Sequence, residues 1–210
     1  MIALFDRFTA LDAVGPYQVL AHMSDTEVVF AADRAGGVTD NLRTLTLQAQ
    51  ASYAEVPHPD IILIPGGPGQ AGQMTPGPLL DWLIEADKTS AWTTSVCTGA
   101  LILAGAGLLN GRKATTNWLA QDELGRLGAI PQRGERYVFD GKYVTGAGVS
   151  AGIDLALALA GRLVGDEEAR RIQLGIEYDP QPPYQSGSPA TAQPETVDYL
   201  TAGSRFAAHG

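Results

Sequence analysis

The segment Asp60-Ile61-Ile62-Leu63-Ile64 runs straight into Pro65-Gly66-Gly67-Pro68-Gly69. An apolar run with no polar alternation suits a strand buried on both faces, and a parallel sheet covered by helices on both sides provides such a place. The Pro/Gly cluster then stops it. A second β-favouring run, Trp92–Val96, halts at Cys97-Thr98-Gly99 before a helical pattern begins. Around these two runs strands and helices alternate. The pattern predicts strands over residues 2–5, 27–31 and 113–115, and helices over 12–23, 78–88, 98–106, 118–127, 150–164 and 166–176. It predicts hairpins from 38–39 with 44–48 and from 136–140 with 142–145, the latter around a type I′ turn at Asp140-Gly141. Alternation of this kind implies an α/β sandwich with a mostly parallel sheet and ligands beyond the carboxyl ends of the strands.

Length and composition narrow the function. With 210 residues the chain is read as one domain spanning 1–210, with a Pro-rich wrap over 180–210 that includes a short terminal helix. A domain of that size buries roughly 70% of its unfolded surface and needs no covalent staple. Fourteen Lys and Arg against 23 Asp and Glu leave a formal charge of −9, which argues against a nucleic-acid or anionic-membrane surface. No apolar stretch approaches the ~20 residues that span a bilayer, and no basic leader precedes a hydrophobic core. A cytoplasmic location is expected. One cysteine forbids an internal disulfide and a cysteine zinc cluster, and His22, His58 and His209 are scattered, so neither a metal nor a cofactor is expected. Gly146-Ala147-Gly148-Val149-Ser150-Ala151-Gly152 imitates a dinucleotide loop, but too little chain follows to complete that fold.

Cys97 has the layout of a nucleophile elbow, with the reactive side chain on a sharp turn between strand and helix. The competing reading is a small buried core residue. At a helix N-terminus the dipole would lower the thiol pKa, and a thiolate is expected on that ground. Gly66 and Gly67 offer side-chain-free backbone that, with the Thr98 N–H, would form an oxyanion hole; an ordinary turn is the alternative. Asp12, at the start of a helix, reads by itself as a possible N-cap.

Several segments together resemble the ThiJ/PfpI superfamily of class I glutamine amidotransferase-like proteins. They are residues 8–16, Ile64-Pro65-Gly66-Gly67, Ser95-Val96-Cys97-Thr98-Gly99-Ala100, residues 107–116, residues 144–154 and Ile176-Glu177-Tyr178-Asp179-Pro180. The Cys-Thr-Gly version is similar to the isonitrile hydratase branch. The resemblance implies a flavodoxin-like three-layer sandwich, usually a homodimer with the cysteine near the interface. It implies a cysteine-dependent hydratase (a lyase) acting on a small electrophile, with Cys97 as nucleophile, Asp12 as its acidic partner and Thr98 beside it. In that reading Asp12 stays protonated and donates to the sulfur. Gly66, Gly67 and Asn117 are the expected substrate- or oxyanion-binding groups. Asn117 stands where many hydratase-like relatives carry His, and Thr98 where protease- and glyoxalase-like relatives do. A helix-turn-helix module, present in some relatives, is not expected before Gly210. A non-catalytic redox sensor and a glyoxalase- or deglycase-like enzyme are the alternatives.

Overall fold

The structure, a computed structural model, describes residues 1–206; His209 lies outside the described residues. In chain order the elements are β1 (Ile2–Ala3), α1 (Ala10–Leu20), β2 (Phe30–Ala32), β3 (Gly36–Thr39), β4 (Thr46–Ala49), β5 (Ala51–Ser52), β6 (Ile61–Ile64), α2 (Pro78–Asp87), β7 (Trp92–Val96), α3 (Gly99–Gly105), β8 (Lys113–Ala114), α4 (Gln121–Arg126), β9 (Ile130–Pro131), β10 (Tyr137–Asp140), β11 (Tyr143–Gly146), α5 (Ala151–Val164), α6 (Asp166–Gly175) and α7 (Pro194–Ala202). The main sheet has the order β10-β11-β7-β6-β1-β2-β5. Every neighbouring pair is parallel except the β10–β11 hairpin. This is the three-layer α/β architecture expected of a flavodoxin-like chain.

The central strands follow from their composition. Ile62, Leu63 and Ile64 are fully buried, as are Leu101, Ile102 and Leu103 of α3 packed on the sheet. Small residues let α1 and α5 approach closely: a Cβ on Gly15 would stand 3.1 Å from Ile153, and one on Gly152 would stand 3.0 Å from Pro16. That contact fixes α1, and so Asp12, against the carboxyl ends of β6 and β7.

Two local expectations are corrected, the first-helix start and the hairpin turn, and two short strands were not foreseen. The first helix begins at Ala10, so Asp12 lies inside its first turn and is not an N-cap; Thr9 takes that position. The strand at 113–114 pairs with the unexpected Ile130–Pro131 in a separate two-stranded sheet. The short edge strand β5 has no sequence signature. In the β10–β11 hairpin Asp140 pairs with Tyr143, so the central residues are Gly141 and Lys142. Only Gly141 has a positive φ, 62°, which is the type II′ pattern rather than type I′.

Candidate active site

β7 ends at Val96, α3 starts at Gly99, and Cys97 occupies the bend with φ 57°. A non-glycine residue in this left-handed region costs of order 1 kcal/mol or more and must be held from outside. Both backbone groups of Cys97 are held. Its N–H is shared between the Gly146 and Ala147 carbonyls, each at 3.0 Å, and its carbonyl accepts the Thr116 hydroxyl at 2.8 Å. Thr116 is itself steadied by Gln121, whose Nε2 donates to the Thr116 carbonyl at 2.9 Å. Gly99 is required here, because a Cβ would collide with the Ile64 carbonyl oxygen.

The loop after β6 ties the partners together. The Gly66 N–H donates to Asp12 Oδ2 at 2.9 Å, the Gly66 carbonyl accepts the Thr9 N–H at 2.8 Å, and the Gly67 N–H donates to Thr98 Oγ1 at 3.0 Å. A Cβ on Gly66 would stand 2.5 Å from Thr98 N and 3.0 Å from Asp12 Oδ2. Gly67 has φ 133°, which glycine adopts freely. Both N–H groups expected to receive an oxyanion are therefore engaged inside the protein. The loop instead orients Asp12 and Thr98. The groups that pull the Cys97 pKa down, against its burial, are the Thr98 N–H and the Asn117 side chain. Asn117 Oδ1 accepts the Leu119 N–H at 3.0 Å, which leaves Nδ2 as the donor toward Cys97.

Asp12 is completely buried. The Cys97 thiol lies against its carboxyl, yet Oδ1 has no aligned hydrogen-bond partner. Burial pushes the Asp12 pKa up to about 7, against the opposing pull of the Gly66 N–H and the thiol. Cys97 is only 6% exposed. Burial, and then the charge of Asp12, hold its thiol above the ordinary value, and the Thr98 and Asn117 donors offset part of this. The expected thiolate is thus corrected to a resting thiol: desolvation outweighs the helix N-terminus. Thiol and carboxyl thus stand side by side with both pKa values raised.

A family model described as the DJ-1/PfpI family matches residues 1–162. The chain belongs to the DJ-1/PfpI family. It is 43% identical over 195 residues to the isonitrile hydratase of Pseudomonas putida, a match covering 93% of this chain and 85% of that one. It is 30% identical over 147 residues to the HTH-type transcriptional regulator CdhR of Pseudomonas aeruginosa, covering 69% of this chain but 42% of the regulator. The crystal structure of a ThiJ/PfpI family protein from Pseudomonas syringae superimposes with TM-score 0.91 at 32% identity, covering 95% of this chain and 82% of that one.

The fold thus gathers Cys97, Asp12, Thr98, Gly66, Gly67 and Asn117 at one end of the sheet. Thr116 and Gln121 join them and were not anticipated; the only sequence signal was the run Thr115-Thr116-Asn117-Trp118, taken for its departure from His. His22 and His58 are exposed and stand elsewhere, bonded to Gln18 O at 2.7 Å and Thr89 Oγ1 at 3.2 Å. Among the described residues no His, Cys, Asp and Glu cluster could hold a metal, and no helix is long and apolar enough to cross a membrane.

Proposed function

We propose that this DJ-1/PfpI protein hydrates isonitriles to N-substituted formamides through a thioimidate on Cys97. The observation that carries the reading is a buried carboxyl, titrating near 7, set against the chain's one thiol on a strained elbow. The 43% identity to an isonitrile hydratase supports the substrate class.

The thiol of Cys97 adds to the terminal carbon of R–N≡C. A C–S bond forms, and the thiol proton passes through the Asp12 carboxylate to the same carbon, giving R–N=CH–S–Cys. The Thr98 N–H and Asn117 Nδ2 steady negative charge on sulfur while the proton is in transit. Water then adds to the thioimidate carbon, with Asp12 taking its proton and passing it to nitrogen. Collapse breaks the C–S bond, releasing R–NH–CHO and restoring the thiol. A carboxyl with pKa near the working pH suits both directions of transfer. A cytoplasmic homodimer is part of the same proposal.

The buried thiol with a raised pKa weighs against the redox-sensor reading, since ready oxidation follows thiolate character and exposure. Thr98 in place of His weighs against the glyoxalase reading. Cyclohexyl isocyanide given to the purified protein should yield the formamide, and Cys97→Ala should reduce turnover to background. Absence of formamide from several isonitriles, or full activity in Cys97→Ala, would overturn the proposal.

A further inference from the structure

A residue in the left-handed region turns the peptide that follows it, and at Cys97, with φ 57°, that peptide is the Cys97–Thr98 unit. It is trans, like the other peptide bonds of the described residues. The carbonyl and the N–H of a trans peptide point to opposite sides within one plane. A group that fixes the Cys97 carbonyl therefore also sets the direction of the Thr98 N–H.

The Thr116 hydroxyl is that group, donating to the carbonyl at 2.8 Å, while the Ala100 N–H is more distant at 3.4 Å. On the other side of the plane, the Thr98 N–H meets no backbone oxygen among the described residues. Gly66 leaves room beside it, since a Cβ there would stand 2.5 Å from Thr98 N. The same N–H pulls the Cys97 pKa down against its burial.

Thr116 is itself held on several sides. It is completely buried, and so is Thr115. The Thr115 N–H donates to Thr145 Oγ1 at 2.8 Å, on the strand next to β7. The buried Gln121 grips both threonines, its Nε2 donating to Thr115 Oγ1 at 3.1 Å and to the Thr116 carbonyl at 2.9 Å. Gln121 Oε1 has no partner. A buried amide with one end unpaired lowers stability, which an apolar side chain of similar size would avoid. What the amide supplies is a fixed place for Thr116.

We propose that Thr116 is a positioning residue for Cys97: its hydroxyl, held in place through Gln121, sets the Cys97–Thr98 peptide plane and so aims the Thr98 N–H at the sulfur. The consequence for turnover rests on the hydratase reading, in which that N–H steadies charge on sulfur. The consequence for thiol reactivity does not.

Thr116→Val removes the hydroxyl at nearly constant volume, and Thr116→Ser keeps it. Iodoacetamide alkylates the thiolate with loss of iodide, and with one cysteine in the chain intact mass at about pH 8.5 reads a single site. With the donor misaimed the thiolate is less stable, so Thr116→Val should be alkylated about five- to tenfold more slowly, the scale of one hydrogen bond. Thr116→Ser should react at close to the unaltered rate. A residue that only supports packing gives the opposite sign, because a loosened site exposes the thiol and speeds alkylation. Gln121→Met should slow the reaction less than Thr116→Val, and it carries the test if the valine variant does not fold. With cyclohexyl isocyanide, Thr116→Val should lower kcat about tenfold with KM little changed, and serine should restore it. Alkylation at an unchanged or faster rate, serine no better than valine, or full kcat in Thr116→Val overturns the proposal. If the unaltered protein turns over no isonitrile, the hydratase reading fails, and the alkylation rates still decide the role of Thr116.

Discussion

Two buried aspartates, at opposite ends of the same strands, have opposite surroundings. Asp87, 7% exposed, ends α2 at the amino ends of β7 and β11. Its Oδ1 accepts the Thr93 hydroxyl at 2.6 Å and lies 3.2 Å from Lys142 Nζ, and its Oδ2 accepts the Tyr143 hydroxyl at 3.0 Å. Burial, and then that carboxylate, push the Tyr143 phenol up to about 12. Asp12, at the carboxyl ends, has one backbone N–H on Oδ2 and none on Oδ1. A buried carboxylate is stable when donors and a cation surround it; left half-partnered, it holds its proton instead. One end of the sheet uses aspartate as a fastening; the proposed function uses the other as a proton store beside a thiol. Burial raises the Asp12 pKa against few opposing donors, whereas distant segments bring Asp87 two hydroxyls and a cation.

Exchanging these roles by mutation tests the contrast. The largest effect belongs to Asp12→Asn: the amide still accepts the Gly66 N–H but cannot relay a proton, so isonitrile turnover should fall by about 10²–10⁴. Steady-state formamide assays measure this, and turnover near the unaltered rate would show that the carboxyl is not the relay. Next comes Asp87→Ala, which strips partners from Lys142, Tyr143 and Thr93. Urea unfolding should show a loss of about 2–3 kcal/mol, with activity per folded molecule unchanged within about twofold. Loss of activity in step with Asp12→Asn would erase the distinction.

The smallest effect is the pH dependence of stability. The folded Asp12 pKa is about 7, raised from the ordinary 3.8. Its proton is held more tightly in the folded state, so this contribution is fully present below about pH 4 and is lost as pH rises through 7. Between pH 5 and pH 7 the unaltered protein should lose about 2 kcal/mol relative to Asp12→Asn. Parallel unfolding curves at the two pH values would contradict the raised pKa.

The elbow was legible because the run Trp92–Val96 and the small residue Gly99 are both local signals. The central parallel strand was legible for the same reason, since residues 60–64 are apolar throughout. What the sequence concealed was non-local. The helix N-terminus that favours a thiolate is written beside Cys97, while the burial that defeats it is supplied by Asp12 and the rest of the packed site. Gly66 and Gly67 announce a tight loop, but only the fold reveals that their N–H groups turn inward to Asp12 and Thr98. The hairpin turn was misjudged because a one-residue shift in register, Asp140 opposite Tyr143, replaces Asp-Gly by Gly-Lys at its tip.

The central claim is that Cys97 and Asp12 together add sulfur and hydrogen to one carbon. Intact-protein mass measured after acid quenching, early in the reaction with cyclohexyl isocyanide, tests it most directly. The account predicts an adduct equal to one isonitrile on the unaltered protein, located at Cys97, absent from Cys97→Ala and strongly slowed in Asp12→Asn. Formamide production with no sulfur adduct at any time, or an adduct that forms at the full rate without Asp12, would contradict it.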